Sequence, residues 1–97
     1  MRIEFHRLVA SDISRIMDYY KDAAGPELAD EFYEELRSFL QKVTDSPQSY
    51  FVRESDLRRV NLERFPYHFL YRIVGDTLRV LVVRHHNRRP SLGVQRR

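Results

Sequence analysis

Residues Thr77 to His85 hold Leu78, Val80, Leu81, Val82 and Val83, so apolar side chains fall on both sides of a run that reads as a β-strand. Successive side chains of a strand point to opposite faces, and a strand apolar on both needs both faces covered. This run therefore belongs inside a sheet. The run before it, Tyr67 to Ile73, puts Tyr67, Phe69, Tyr71 and Ile73 on one face and His68, Leu70 and Arg72 on the other. Gly75-Asp76 between the two is a two-residue hairpin signal. One face of the sheet is thus core, and the other is partly wet and remains available. Leu57 to Glu63 is a further strand, separated by Phe65-Pro66, and Arg2 to Arg7 is a short first strand in which Ile3 and Phe5 oppose Glu4 and His6. The first strand is expected to pair beside the central one.

Between the first strand and the later three lie two helical patterns. Ile13, Ile16, Met17 and Tyr20 recur at helical spacing after Ser11 or Asp12, either of which can cap the helix, until Gly25 and Pro26 stop it. Pro26 suits the first turn of a second helix, whose stripe of Leu28, Phe32, Leu36, Phe39, Leu40 and Val43 lies opposite Asp30, Glu31, Glu34, Glu35 and Gln41 and ends before Pro47. Ser46 to Asp56 reads as a polar connection. The expected class is α+β in the order β-α-α-β-β-β, with a helical hairpin packed on one face of a small, mostly antiparallel sheet. Residues 1–97 form one domain, because a chain of this length supports a single small core.

The net charge of +3 conceals a division. Residues 1–48 carry 6 Lys and Arg against 10 Asp and Glu, and residues 49–97 carry 11 against 4, all 11 being Arg. A planar guanidinium suits carboxylate or phosphate, so a basic half made only of Arg points to an acidic or polyanionic partner. The sharpest cluster follows the central strand: Arg84, His85, His86, Asn87, Arg88 and Arg89, with Arg96 and Arg97 ending the sequence. Together with His68 and Arg72 these residues could converge on a phosphate, His moving a proton and Arg holding charge.

Other chemistries are disfavoured. The absence of Cys removes disulfides, thiolate metal sites and a thiol nucleophile. His85 and His86 are adjacent and point to opposite faces, so they do not form a metal pair, and three glycines supply no phosphate loop. No cofactor is expected. No apolar run approaches the ~20 residues that span a bilayer, and no leader pattern is present, so no membrane partner and a cytoplasmic location are expected.

The run from Arg59 to Tyr71, containing Phe65-Pro66-Tyr67-His68-Phe69-Leu70-Tyr71, and the strand ending His85-His86-Asn87-Arg88-Arg89-Pro90 resemble the RelE/ParE toxin superfamily of type II toxin–antitoxin systems. The F-P-Y-x-[FIL]-x-Y strand and the H-x-x-R-x-P ending are its closing pattern, and Ile13, Ile16, Tyr19 and Tyr20 fit its first helix. The resemblance covers nearly the whole chain and implies the β-α-α-β-β-β fold, a toxin activity and neutralisation by a cognate antitoxin.

Two activities divide the superfamily. RelE-type members cleave mRNA on the ribosome without a metal, using an Arg in the strand that corresponds to Tyr67–Ile73, an Arg after the last strand and a Tyr near the C-terminus. Here the strand position is His68, the post-strand Arg is Arg88 or Arg89, and no Tyr follows Tyr71. ParE-type members poison DNA gyrase without being hydrolases, and the H-x-x-R-x-P ending is more typical of them. The resemblance therefore implies a ParE-like gyrase inhibitor, with Arg84, Arg88, Arg89, Arg96 and Arg97 as candidates for binding target or antitoxin. The alternative is a ribosome-dependent mRNA endonuclease with His68, Arg72, His85, His86 and Arg88 as acid, base and phosphate contacts. A third reading is a non-toxic relic that only binds antitoxin.

Overall fold

Gly25 and Pro26 divide one helical stretch into two. In the computed structural model, which describes residues 1–54 and 56–97 with Glu54 as backbone only, α1 spans Val9–Ala24 and α2 spans Pro26–Asp45. Gly25 sits at φ +98°, where a side chain would be strained, and its N–H returns to the Lys21 carbonyl to close α1. Pro26 then opens α2. The first helix starts at Val9, earlier than a cap at Ser11 or Asp12 would place it; Leu8 precedes it and makes no side-chain cap. The His6 ring supports this entry by accepting the Leu8 N–H at 3.1 Å. Asp12 is thereby freed for a different role.

Five strands form one sheet in the order β1-β5-β4-β3-β2, comprising β1 (Arg2–Phe5), β2 (Val52–Glu54), β3 (Leu57–Asn61), β4 (Tyr67–Val74) and β5 (Thr77–His85). All pairings are antiparallel except β1 with β5. The doubly apolar β5 is an inner strand, as its composition requires. The observed order β-α-α-β-β-β-β adds β2 to the expected elements. Three residues within Ser46–Asp56 carry too short an alternation to register, and they gain their hydrogen bonds by pairing with β3 rather than by burial of their own. Ser55, also in that connection, lies outside the described residues.

The helices cover one face. Phe32, fully buried, stands with its ring centroid 5.4 to 6.1 Å from those of Tyr67, Phe65 and Tyr20. Tyr71 is equally buried and its hydroxyl donates to the Pro47 carbonyl at 2.6 Å, so the polar end of this core ring is satisfied. The turn between β3 and β4 is held by α2, where the Glu35 carboxylate accepts the N–H groups of Arg64 and Phe65 and Glu31 pairs with Arg64. These contacts put the acids of the second helix to structural use.

The opposite face is less open than its sequence pattern suggests. Leu70 pairs with Val82 and Tyr71 with Val80, which leaves Leu81 as an extra residue. This bulge accompanies a second cluster, in which Leu81 and Val82 join Leu57 and Leu70 on the helix-free side. Four apolar side chains on a wet face would be costly, and the C-terminal segment covers them through Val94. Gly93 makes this approach possible. It sits at φ +82°, and a Cβ there would stand 2.6 Å from the Val82 Cβ. Gly93→Ala should therefore cost about 2 kcal/mol or more, from backbone strain together with overpacking. Chemical denaturation checks this, and a loss below about 0.5 kcal/mol, the range of ordinary surface changes, would mean that the tail is not seated on Val82.

Candidate functional site

At the C-terminal end of β5 the sheet presents a chain of donors and acceptors. Asn61 on β3, His68 on β4 and Arg84 on β5 lie side by side across the sheet, His68 opposite both Asn61 and Arg84 in register. Arg84 Nε donates to His68 Nε2 at 2.8 Å. A guanidinium only donates, so His68 Nε2 is bare and the ring proton sits on Nδ1. That proton bridges to His86 Nδ1, 2.9 Å away, with the two ring planes within 8° of each other. His86 must then carry its own proton on Nε2. Nη1 of Arg84 donates to the carbonyls of Pro90 and Leu92 at 2.7 and 2.6 Å and fastens the tail.

The electrostatics follow from this geometry. His68 is 1% exposed, and burial, reinforced by the charges of Arg59 and Arg84, pushes its pKa down to about 3. His86 is lowered as well, by burial and then by Arg59, which approaches its Nδ1 at 3.4 Å. Both rings are neutral at neutral pH. Protonating His68 would turn its acceptor nitrogen toward a guanidinium, which opposes the charge directly.

The other residues singled out in the sequence fall into separate places. Arg72, on the same helix-free face, lies 3.3 Å from Asp56 without the alignment of a hydrogen bond. His85 turns to the helix side, its ring 5.0 Å from that of Tyr67. Arg88 and Arg89 are exposed beyond the strand. Arg96 is instead held deep against α1, with Nη1 and Nη2 2.7 and 3.2 Å from the two oxygens of Asp12, and Arg97 is exposed at the end. Thus His68, His86 and Arg84 converge, while Arg72, His85, Arg88, Arg96 and Arg97 do not join them.

Two residues matter here that the sequence reading did not single out. Arg59 contributes charge beside the histidine pair and donates to Asn61 at 2.8 Å. Its position two residues from Asn61, on the same strand face, was the available signal. Asp12 is the second. Strand β1 pairs with β5 only as far as Val80, so the outer edge of β5 is unpaired beyond that point. Asp12 fills the gap by accepting the Val83 N–H at 3.1 Å, and Arg96 donates to the neighbouring Leu81 carbonyl at 3.0 Å. The carboxylate thereby ties helix, central strand and tail at one point.

The family model described as ParE toxin of type II toxin-antitoxin system, parDE, matches residues 3–90. The chain belongs to this ParE toxin family. It is 26% identical over 91 residues to Toxin ParE2 of Mycobacterium tuberculosis in strains CDC 1551 / Oshkosh and ATCC 25618 / H37Rv, covering 93% of this chain and 86% of each relative. A chromosomal ParDE TA system from P. aeruginosa shares the fold at a TM-score of 0.78 and 24% identity, covering 88% of this chain and 95% of that one. The RelE fold is also close, with a TM-score of 0.64 and 16% identity to a chain of the intact E. coli RelBE toxin-antitoxin complex, covering 90% and 98%. In this ParE-family toxin, His68 is locked between Arg84 and His86. Among the described residues no helix is long and apolar enough to cross a membrane.

Proposed function

We propose that this toxin acts as ParE-type members do, by poisoning DNA gyrase in the cytoplasm without hydrolysing a substrate, and that a cognate antitoxin neutralises it. The observation that carries the reading is the bonded histidine pair. A metal-free ribonuclease needs a base to take the 2′-hydroxyl proton, an acid to serve the leaving group and cations to hold the phosphorane. Here the lone pair of His68 Nε2 is taken by Arg84, its Nδ1 proton by His86, and the buried Arg84 is tied to the tail. His68, the strand residue of the candidate nuclease set, therefore has both ring nitrogens occupied by the fold. A protein target asks only for a shaped, charged surface, which the exposed Arg88 and Arg89 help to supply. The similarity to Toxin ParE2 supports the same branch.

The test pairs two assays on the purified toxin. Supercoiling by gyrase should be inhibited with gyrase-linked DNA breaks trapped, while mRNA on ribosomes stays intact. Cuts in ribosome-bound mRNA with normal supercoiling would replace this reading with the endonuclease. The antitoxin is expected to carry acidic residues against the basic half of the chain, so the complex should weaken as salt rises.

A double change of Arg88 and Arg89 to Ala separates function from folding. Both side chains are exposed, so stability should stay within roughly 0.5 kcal/mol while growth inhibition falls. A large drop in melting temperature would instead assign the pair to the fold.

A further inference from the structure

A cleft of about 450 Å³ opens between α1, the end of β5 and the tail, with neither His68 nor His86 in its lining. Its volume lies within the roughly 300–1,000 Å³ of small-ligand sites. Its walls combine aromatic and basic side chains. Tyr19, Tyr20, Tyr67 and His85 form a continuous series of ring contacts, with successive centroids 5.3, 6.1 and 5.0 Å apart. Three of these rings belong to the packed wall, but Tyr19 is 63% exposed and presents its ring to solvent at the mouth. Arg15, one turn earlier on the same side of α1, and Arg88, across the cleft, flank the rings.

The charge of the cleft is positive. Asp12 is the one acidic residue in its lining, against Arg15, Arg84 and Arg88, and its oxygens serve Arg96, the Val83 N–H and, at 3.2 Å, Arg15, whose side chain stays 70% exposed. Arg88 is absent from the ion pairs of the described residues. An anion bearing a flat ring matches such a site, since aromatic faces stack bases and guanidinium groups hold phosphate. An acidic peptide would use the cations and leave the exposed ring without a counterpart.

We propose that this cleft binds a nucleotide unit, the base lying against Tyr19 and the phosphate reaching Arg88 and Arg15. The unit comes either from a free mononucleotide or from an exposed nucleotide of a single strand. The proposal stands apart from the gyrase reading, because it is tested with neither gyrase nor ribosome present. A fluorescein-labelled twelve-residue oligo-dT is titrated with full-length toxin at low salt and followed by anisotropy, with dTMP and polyglutamate as competitors.

Binding is expected, weakened about tenfold by Tyr19→Ala and by Arg88→Ala, and retained by Tyr19→Phe, which keeps the ring. Arg37→Ala, on the far helix, should leave the affinity unchanged. Displacement by dTMP at concentrations near the oligonucleotide's own affinity assigns the site to free nucleotides, and displacement only by further single strand assigns it to a strand. Because Tyr19 and Arg88 are exposed, melting temperatures should match that of the parent, and the Phe variant keeps the test decisive if the Ala variant unfolds. Absence of binding overturns the proposal. So does equal affinity of parent, Tyr19→Ala and Arg88→Ala, or displacement by polyglutamate as readily as by dTMP.

Discussion

Asp12→Asn is expected to lower the stability of this toxin by about 3–5 kcal/mol, the cost typical of breaking a buried ion pair from one side. The carboxylate side chain is 4% exposed and accepts from Arg96 twice, from the Val83 N–H and from Arg15. An amide keeps the shape but replaces one acceptor oxygen with a donor, which must then face a guanidinium or a backbone N–H. Arg96, its side chain only 12% exposed, is left as a half-buried cation without its counter-charge. For a domain of this size, with a total stability of roughly 5–15 kcal/mol, a loss of this order moves the melting temperature by more than about 10 °C. Arg96→Met should cost less, because Asp12 retains Val83 and Arg15 and the aliphatic chain still fills the space. In the double variant the losses should fall short of additive, as two halves of one interaction do. Urea unfolding checks all three, and an Asp12→Asn loss below about 1 kcal/mol, the level of an exposed pair, would remove this clamp from the account.

The same residue marks the limit of what the sequence discloses. The β4–β5 hairpin is legible because alternation, a Gly-Asp turn and a doubly apolar run all act within 19 residues, Tyr67 to His85. The helical hairpin is legible for the same reason, each apolar stripe being a local period and Gly25-Pro26 a local stop. Asp12 reads locally as a helix cap. Its partners lie 71 and 84 residues further along, and their approach depends on β1 ending before β5 does. Arg96 likewise reads as a solvent-facing charge in a short basic tail.

A clue to the tail was nevertheless present. Leu57, Leu70 and Leu81 fall on the face that His68 and Arg72 make polar, and an apolar patch there requires a cover. The residues beyond β5 with apolar side chains are Pro90, Leu92 and Val94, and Gly93 lies between the last two. The bulge at Leu81 could not be read in advance, since it changes which side chains share a face without any local turn residue. The convergence of His68 with His86 depends on both the strand register and the turn after β5, so the sequence grouped them only by chemical type.

The histidine pair gives this fold a pH dependence whose sign is fixed by its hydrogen bonds. Burial and the neighbouring arginines depress the His68 pKa from the ordinary 6.5 to about 3. The unfolded chain therefore binds a proton that the folded chain refuses throughout that interval. Stability from this group is fully present above pH 6.5 and declines as pH falls toward 3, with a slope approaching 1.4 kcal/mol per pH unit, about 2 kcal/mol by pH 5 for this ring alone. His86 and His6, whose pKa values are also lowered mainly by burial, shift the curve in the same direction. Most carboxylates remain ionised down to pH 5, so the interval from 7 to 5 isolates the imidazoles. His68→Gln is the informative change, because its amide oxygen can accept from Arg84 and its amide nitrogen can donate to His86 with no titration. The variant should lose little stability at pH 7.5 and fall less steeply between pH 7 and 5 than the parent. Denaturant midpoints measured at half-unit steps decide the matter. Parallel curves for parent and variant would mean that His68 accepts its proton as readily folded as unfolded, and that the Arg84–His68–His86 chain does not hold the ring neutral.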